Sequence, residues 1–520
     1  MDRLPQQGQG RTAFCLSPEQ KTLALILGAS ALRFVFAAAL GLGVDEAYTA
    51  ANARVLALST FDHPPLAWWL THLAASVFGE SPLALRTPFL LLSALTSWLM
   101  FLLTRRLFGA EAGFYAVLAL NLSPVLGLTD ATWIVPDAPL LPAMLGCVYA
   151  LSRVFFEPGA RRLWWLAAGL CAGLAMLSKY HGVLLFAGAG LFMVISRPQR
   201  FWLATPWPYA AGLVALLVFS PVLLWNAEHH WVSFLFQGGR SGQPQFSLVK
   251  PLALIGLQSL YLAPWIFLPL VVLFFRALWR GPAREKDFFL ACLAAAPILL
   301  FTLVAFWSSK RVLPHWVAPG YLMLFPLLGR EIAVRLEHGA PWLRRGLVAA
   351  TVFMVVGVGA ISGLPYLPIE ALSGARYPLF EMLDWDDFPR ALAERNLMAP
   401  KTFVAATRWL DAGKLDYALH GAMPVLCLSD DPRGFGVIRN PRDFIGYDAL
   451  IVAENLTLEE ARARLGRHFD AIEPLPPIDI RQGGQPTIVL QIFKATNFHD
   501  PAPEFSLRKK EVRPDAGIRR

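Results

Sequence analysis

Long apolar runs punctuate this chain and leave it few folds to choose from. Residues 23–42, 82–103, 163–177, 183–195, 209–224, 252–275, 288–307 and 347–361 are each long enough, or nearly so, to cross a bilayer core as a helix. Shorter runs at 112–128, 138–155 and 317–328 fill the gaps and bring the expected number of spans to roughly eleven. Only 16% of the 520 residues are charged, whereas a soluble domain carries about a quarter. A segment in hydrocarbon must satisfy its own backbone, so the runs read as helices. The expected fold class is therefore a polytopic α-helical membrane protein.

The formal net charge is +9, and its placement matters more than its size. With the N-terminus inside and the spans alternating, Arg105, Arg106, Arg153, Arg161, Arg162, Arg197 and Arg200 fall on the inner side. So do Arg276, Arg280, Arg284, Lys286, Arg330, Arg335, Arg344 and Arg345. The opposite side holds chiefly Arg54, Arg86, Lys179, Arg240, Lys250, Lys310 and Arg311. This is the positive-inside bias, which sets topology and argues against a nucleic-acid partner. The first run has no small-residue cleavage site and reads as a retained signal anchor. Cys147, Cys171 and Cys292 lie in apolar runs and Cys15 in the inner tail. Cys427 has no evident partner, so no disulfide framework is expected.

Three regions follow. Residues 1–22 form a polar cytoplasmic tail, 23–363 a membrane bundle with a first outer loop at 44–81, and 364–500 a soluble α/β domain. The residues from 501 to 520 are polar and basic and are expected to be disordered. In the soluble domain, 401–409, 424–428, 447–452 and 486–493 read as strands, and 387–397 and 457–469 as helices. Thr457 and Glu460 make a capping box at the start of the second helix. Alternation of this kind suggests a small βαβ-type sheet. An odd number of spans puts this domain outside, which in a Gram-negative cell is the periplasm.

Polar residues are expensive near a bilayer, so chemistry is sought where charges gather at the outer ends of spans. The first outer loop is the richest such place. It begins Asp45-Glu46-Ala47-Tyr48, continues through Phe61-Asp62-His63-Pro64-Pro65-Leu66, and closes with Arg86. Long ordered loops usually carry function, and Trp68 and Trp69 suit an interfacial position.

An Asp-Glu pair after the first span, followed by a His-Pro-Pro-Leu element, resembles the GT-C glycosyltransferases. The resemblance is nearest to the protein O-mannosyltransferase and lipid A aminoarabinose transferase branch, in its bacterial mannosyltransferase-like group. Ser178-Lys179-Tyr180, Pro221-Val222-Leu223-Leu224-Trp225-Asn226 and Pro314-His315-Trp316 are similar to that group too. The likeness covers the membrane part and is weak or absent in the C-terminal domain.

The resemblance implies an inverting transfer of a sugar from a polyprenyl-phosphate donor to an extracytoplasmic acceptor, a glycolipid or a protein, by an enzyme surrounded by membrane lipid. Asp45 matches the family's catalytic carboxylate and would act as base. Glu46 either orients the acceptor or makes a loop salt bridge. Asp137 matches a second carboxylate, next to Asp130, and also suits a helix N-cap. The leaving phosphate needs cations, for which Arg86, Lys179, Lys310 and Arg311 are candidates, with Arg240 as a further one. For Lys310 and Arg311, snorkelling to the interface is an equal alternative. His63 stands where aminoarabinose transferases carry a lysine, which leaves its phosphate contact open. Tyr48, Asp62, Tyr180, Asn226 and His315 stand within the matching motifs as candidate substrate-binding residues.

Glu228, His229 and His230 crowd together, but adjacent histidines do not share a helix face and no ligand spacing is completed. No metal ligands are assigned, although a divalent cation bridging phosphate and carboxylates stays open. The rival class is a lipid-linked sugar flippase or transporter. It fits less well, because the charges cluster at outer ends and the halves show no matched breaks. Lipid A or another envelope glycolipid is the favoured acceptor, by analogy with the bacterial group.

Overall fold

The computed structural model describes residues 16–159, 161–242, 244–363, 382–482 and 485–506. Most of the expected cytoplasmic tail, and the chain beyond Ser506, lie outside the described residues. The first helix, α1 (Pro18–Ala39), starts at a capping box in which Ser17 accepts from the Gln20 amide and Gln20 returns the bond. Next come α2 (Val44–Ala53), α3 (Leu66–Phe78) and α4 (Pro82–Phe108), so the first loop is itself two helices. Among the described residues, six helical runs are long and apolar enough to cross a membrane, or up to eight if each of two bent pairs counts as one span. The protein is a multi-pass membrane protein.

The expectation of roughly eleven spans meets a simple difficulty. Hydropathy windows do not see breaks. The run over 112–128 is a helix, Ala110–Asn121, that turns through 91° before continuing as Val125–Thr132. The run over 183–195 turns through 115° into Arg197–Ala204. The run over 317–328 is divided between Ala318–Leu322 and Phe325–Glu337.

The first of these breaks shows how the bundle tolerates irregular backbone. Pro124 has no amide to donate, so the helix opens and continues with a π turn at Val125–Thr129. Carbonyls freed inside a membrane must find another donor. Arg33 of α1 supplies it: Nε and Nη2 donate to the Gly127 carbonyl at 2.9 and 2.6 Å, and Nη2 to Asn121 Oδ1 at 2.5 Å. A Cβ on Gly127 would lie 2.6 Å from the Leu120 carbonyl, so glycine is required for this closeness. The break carries the chain to Asp130 and Asp137.

The last long helix ends at Gly363, and the described C-terminal domain begins at Met382. Its sheet holds β1 (Thr402–Ala406), β2 (Val425–Cys427), β3 (Asp448–Ala453), β4 (Ala471–Gln482) and β5 (Gln485–Thr496), in the order β2-β1-β3-β5-β4. β1 pairs parallel with β2 and β3, while β5 pairs antiparallel with β3 and β4. The sheet is mixed, not purely βαβ. Sequence reading misses β4 because Pro474, Pro476 and Pro477 argue against a strand. Its edge position and the register shift between Leu475 and Ile478 accommodate them. The expected disorder from residue 501 is corrected in part: Pro503–Phe505 forms a 3₁₀ turn and buries Phe505 in the domain core. The Thr457–Glu460 capping box is present.

Trp409–Leu419 is a further helix that the sequence does not announce. It packs on α2, and Gly413 comes so near that a Cβ would be 2.8 Å from the Tyr48 backbone. The C-terminal domain therefore sits on the first loop, at the same end of the bundle.

Candidate active site

Asp45 and Glu46 occupy the first turn of α2, where successive side chains point about 100° apart. That rotation separates their roles. Glu46 turns into the core and accepts from the Gly43 amide at 2.9 Å and the Ile134 amide at 3.0 Å. Arg86 of α4 grips it through Nε at 2.9 Å and Nη2 at 2.5 Å. The other Arg86 N–H groups go to the carbonyls of Ala37, Leu40 and Gly41 at 2.9, 2.6 and 2.8 Å. All five guanidinium donors are spent and Arg86 is 1% exposed, so it is not available to a phosphate. Glu46 and Arg86 instead lock the end of α1, the start of α2 and the Ile134 backbone together. Asp45 faces the other way, exposed, in the electrostatic reach of Arg240.

Asp137 opens the Asp137–Phe156 helix, and Lys179 follows the Trp164–Ser178 helix in extended conformation. The Lys179 ammonium donates to both Asp137 oxygens, at 2.8 and 2.7 Å, and both residues are buried. Asp130 lies beside them, also buried. Two of the three Lys179 donors are engaged, which leaves one for a ligand.

Lys179 also lines a cavity of about 320 Å³. Around it stand His63, Tyr180, His181, Gln237 and Arg240 as polar members, and Leu184, Leu300, Phe301, Val304 and Trp316 as apolar ones. Val183 and Leu300, two of the apolar lining residues, are 49% and 42% exposed, so the apolar walls open to the outer surface of the bundle. Arg240 lies with its Cζ 4.6 Å over the Trp316 ring and 5.9 Å over Phe236, and touches Gln237 Oε1 at 3.4 Å. Among the described residues it makes no salt bridge.

His63 stacks on Trp68 with ring centres 6.0 Å apart, and its Nδ1 has no protein partner. Burial pushes its pKa well below the ordinary value, and the charges of Lys179, Arg240 and Arg433 push the same way. It is thus a neutral imidazole, able to donate or accept one hydrogen bond. His315 is also pushed down by burial, to about 4, with Lys179 adding to the effect. His181 stacks on Phe301 at 4.8 Å and neither ring nitrogen has a protein partner. Enclosed polar atoms without partners, next to two cations, mark a place shaped for a polar ligand.

Other candidates have different work. Tyr48 donates to Asp62 Oδ1 at 3.3 Å, accepts from the Gly434 amide at 2.9 Å and packs edge-on to Trp409. It faces the C-terminal domain and not the cavity. Burial raises the Asp62 carboxyl, and Arg433, 3.3 Å away, opposes that shift. Asn226 is buried, and its side chain donates to the Val222 carbonyl at 2.9 Å and accepts from the Ser233 amide at 3.2 Å, which shapes the turn after its helix. Lys310 and Arg311 are exposed and do not line the cavity. Among the described residues no three His, Cys, Asp or Glu lie close enough to hold a metal ion. Asp130 and Asp137 lie near one another, and Lys179 serves as the counter-ion of Asp137. Trp316 stands in the Pro314-His315-Trp316 element, but the sequence does not single out His181, Gln237 or Arg433. Only His181, adjoining the Ser178-Lys179-Tyr180 element, carried a signal that could have found it.

A membrane bundle with a helical first loop at one end, a charged cavity beneath it and a small sheet domain above defines a GT-C glycosyltransferase fold. This chain has that fold, and part of its sequence is similar to aminoarabinose transferases and to a protein mannosyltransferase family model. Residues 62–225 match the family model described as dolichyl-phosphate-mannose-protein mannosyltransferase. The undecaprenyl phosphate-alpha-4-amino-4-deoxy-L-arabinose arabinosyl transferase of Edwardsiella ictaluri is 25% identical over 341 residues, 62% of this chain and 58% of that protein. The enzyme of the same name from Pseudomonas aeruginosa is 25% identical over 61% of this chain and 58% of its own length. The chain thus matches less than two thirds of either relative. The apo structure of ArnT from Cupriavidus metallidurans superposes with a TM-score of 0.61 at 17% identity, covering 92% of this chain and 98% of the other. The same protein bound to undecaprenyl phosphate gives a TM-score of 0.60, over 90% and 97%.

Proposed function

We propose that the protein is an inverting glycosyltransferase that moves a sugar from a polyprenyl-phosphate donor to an acceptor outside the cytoplasm. One observation carries the reading: a single cavity joins Arg240, which has no salt bridge among the described residues, and the remaining Lys179 donor to apolar walls that open to the outer surface of the bundle. That is the shape of an amphiphile with an anionic head and a long hydrocarbon tail. The relatives' names specify an undecaprenyl phosphate donor, and the Cupriavidus protein binds that carrier.

In the proposed reaction Asp45 takes the proton of the acceptor hydroxyl as its oxygen bonds to the anomeric carbon. The anomeric C–O bond to phosphate breaks, and both electrons leave with the polyprenyl phosphate. Arg240 and Lys179 stabilise the charge that grows on that oxygen. Asp137 holds Lys179 in place, and neutral His63 and His181 are hydrogen-bonding partners for the phosphate or sugar. The favoured acceptor is lipid A or another envelope glycolipid, with secreted protein as the second. The cavity end of the bundle and the C-terminal domain would lie on the periplasmic side of the inner membrane.

Mass spectrometry of envelope lipids and polyprenyl phosphates from wild type, a deletion strain and the deletion carrying Asp45→Asn tests this reading. Loss of one sugar from a glycolipid, with accumulation of its carrier-linked form in both mutants, is the expected result. If Asp45→Asn restores the deletion fully, the base assignment fails and a flippase regains ground.

A further inference from the structure

The C-terminal domain does more than rest on the bundle, because one of its arginines reaches into the first loop. Arg433 sits in a left-handed backbone conformation, φ 47°, which an arginine adopts only when its surroundings hold it there. Those surroundings are visible. The next residue, Gly434, donates its amide to the Tyr48 hydroxyl at 2.9 Å, and a Cβ there would lie 2.2 Å from Asn52 Oδ1. Tyr48 passes the bond on to Asp62 Oδ1, and Arg433 Nη1 closes the ring on Asp62 Oδ2 at 3.3 Å. The guanidinium lies 4.1 Å over Trp409 of its own domain and 5.2 Å over Phe236 of the bundle. Phe236 thus carries Arg433 and Arg240 on one ring. Gln237, next in sequence and a wall of the cavity, donates to the Asp62 carbonyl. Asp62 directly precedes His63, another wall.

We infer that Arg433 is a positioning residue for this site: by holding Asp62, it fixes the backbone of His63 and Gln237 along the cavity, so the C-terminal domain is a working part of the transferase. This inference rests on the transferase reading. Without Arg433, the Asp62 carboxylate loses its ion-pair partner and keeps the Tyr48 hydroxyl and a backbone N–H, and a buried carboxylate without a counter-charge rearranges or protonates.

The test uses full-length protein in lipid nanodiscs with the carrier-linked sugar identified from the deletion strain, and compares Arg433→Gln, Arg433→Lys, Asp62→Asn and the double variant. Arg433→Gln should lower kcat per folded molecule by about tenfold, a size seen for residues in one network, with the donor KM nearly unchanged and a lower melting temperature from the stranded Asp62 carboxylate. Arg433→Lys should recover part of the loss, and the double variant should fall no further than either single one. Full kcat in Arg433→Gln, while Asp45→Asn is inactive, overturns the inference and leaves the transferase reading standing. If wild-type protein transfers no sugar, the transferase reading has failed, and amide exchange decides the structural part. Exchange over residues 59–63 should quicken in Arg433→Gln and stay unchanged in the sheet; equal exchange in the two proteins overturns the inference.

Discussion

Two carboxylates adjacent in sequence, Asp45 and Glu46, end up with unrelated duties because a helix turns between them. Glu46 is locked to Arg86 in the core, whereas Asp45 is exposed, within the electrostatic reach of Arg240. Asp45→Asn should therefore lower kcat by roughly 10²–10⁴, the range for losing a general base, without lowering the melting temperature. Arg86→Met should do the reverse. It strands a buried carboxylate, which costs about 3–5 kcal/mol, so thermal unfolding in detergent should shift sharply before activity per folded molecule changes. Arg240→Gln removes a charged contact worth about 1.5–3 kcal/mol, so carrier binding should weaken by tenfold or more in a titration with polyprenyl phosphate. His315 adds a pH dependence. Its folded pKa is about 4 and its unfolded one near the ordinary 6.5, so the unfolded chain binds the proton first as pH falls. Its contribution to stability is present above pH 6.5 and is lost between about 6.5 and 4, a loss that His315→Gln should remove from a melting-temperature profile.

At the scale of elements, breaks and close approaches position these residues. The bend after Asn121 depends on the Arg33 donors and on the absence of a side chain at Gly127. Arg33→Leu leaves that carbonyl unpaired within the bundle and should destabilise the fold by about 1–3 kcal/mol, read as a lower melting temperature. Such features explain what the sequence could and could not reveal. The capping boxes at Ser17 and Thr457 are legible, because the residues that make them are neighbours. β4 is hidden, because only its edge position makes its prolines acceptable. The Trp409–Leu419 helix is hidden as well, because its glycine is explained by Tyr48 and not by anything near it in sequence.

Across the whole molecule, the sheet domain and the bundle share a charged seam. Arg54 of the first loop binds Glu80 at 2.8 and 2.6 Å and also binds Asp416 of the domain, which in turn meets Arg439 at 2.9 Å. Lys414 of the domain reaches the Leu42 and Leu383 carbonyls at 2.7 and 2.6 Å. Buried connections of this kind make the first loop and domain one unit, so calorimetry should give one cooperative transition for both. Arg54→Met should separate the domain's melting from that of the bundle.

The sequence by itself determined that the chain lives in a membrane, which end of the bundle gathers the polar residues, and which short motifs carry them. Hydropathy, charge asymmetry and local motifs are properties of neighbours along the chain, and they survive without knowledge of the fold. Only the tertiary structure decided which charges are spent on each other and which stay available. Arg86 and Glu46 neutralise one another, Lys179 is shared with Asp137, and Arg240 makes no salt bridge among the described residues. The reason is that pairing depends on distances of a few ångströms between residues 40 to 370 positions apart, which no local pattern encodes.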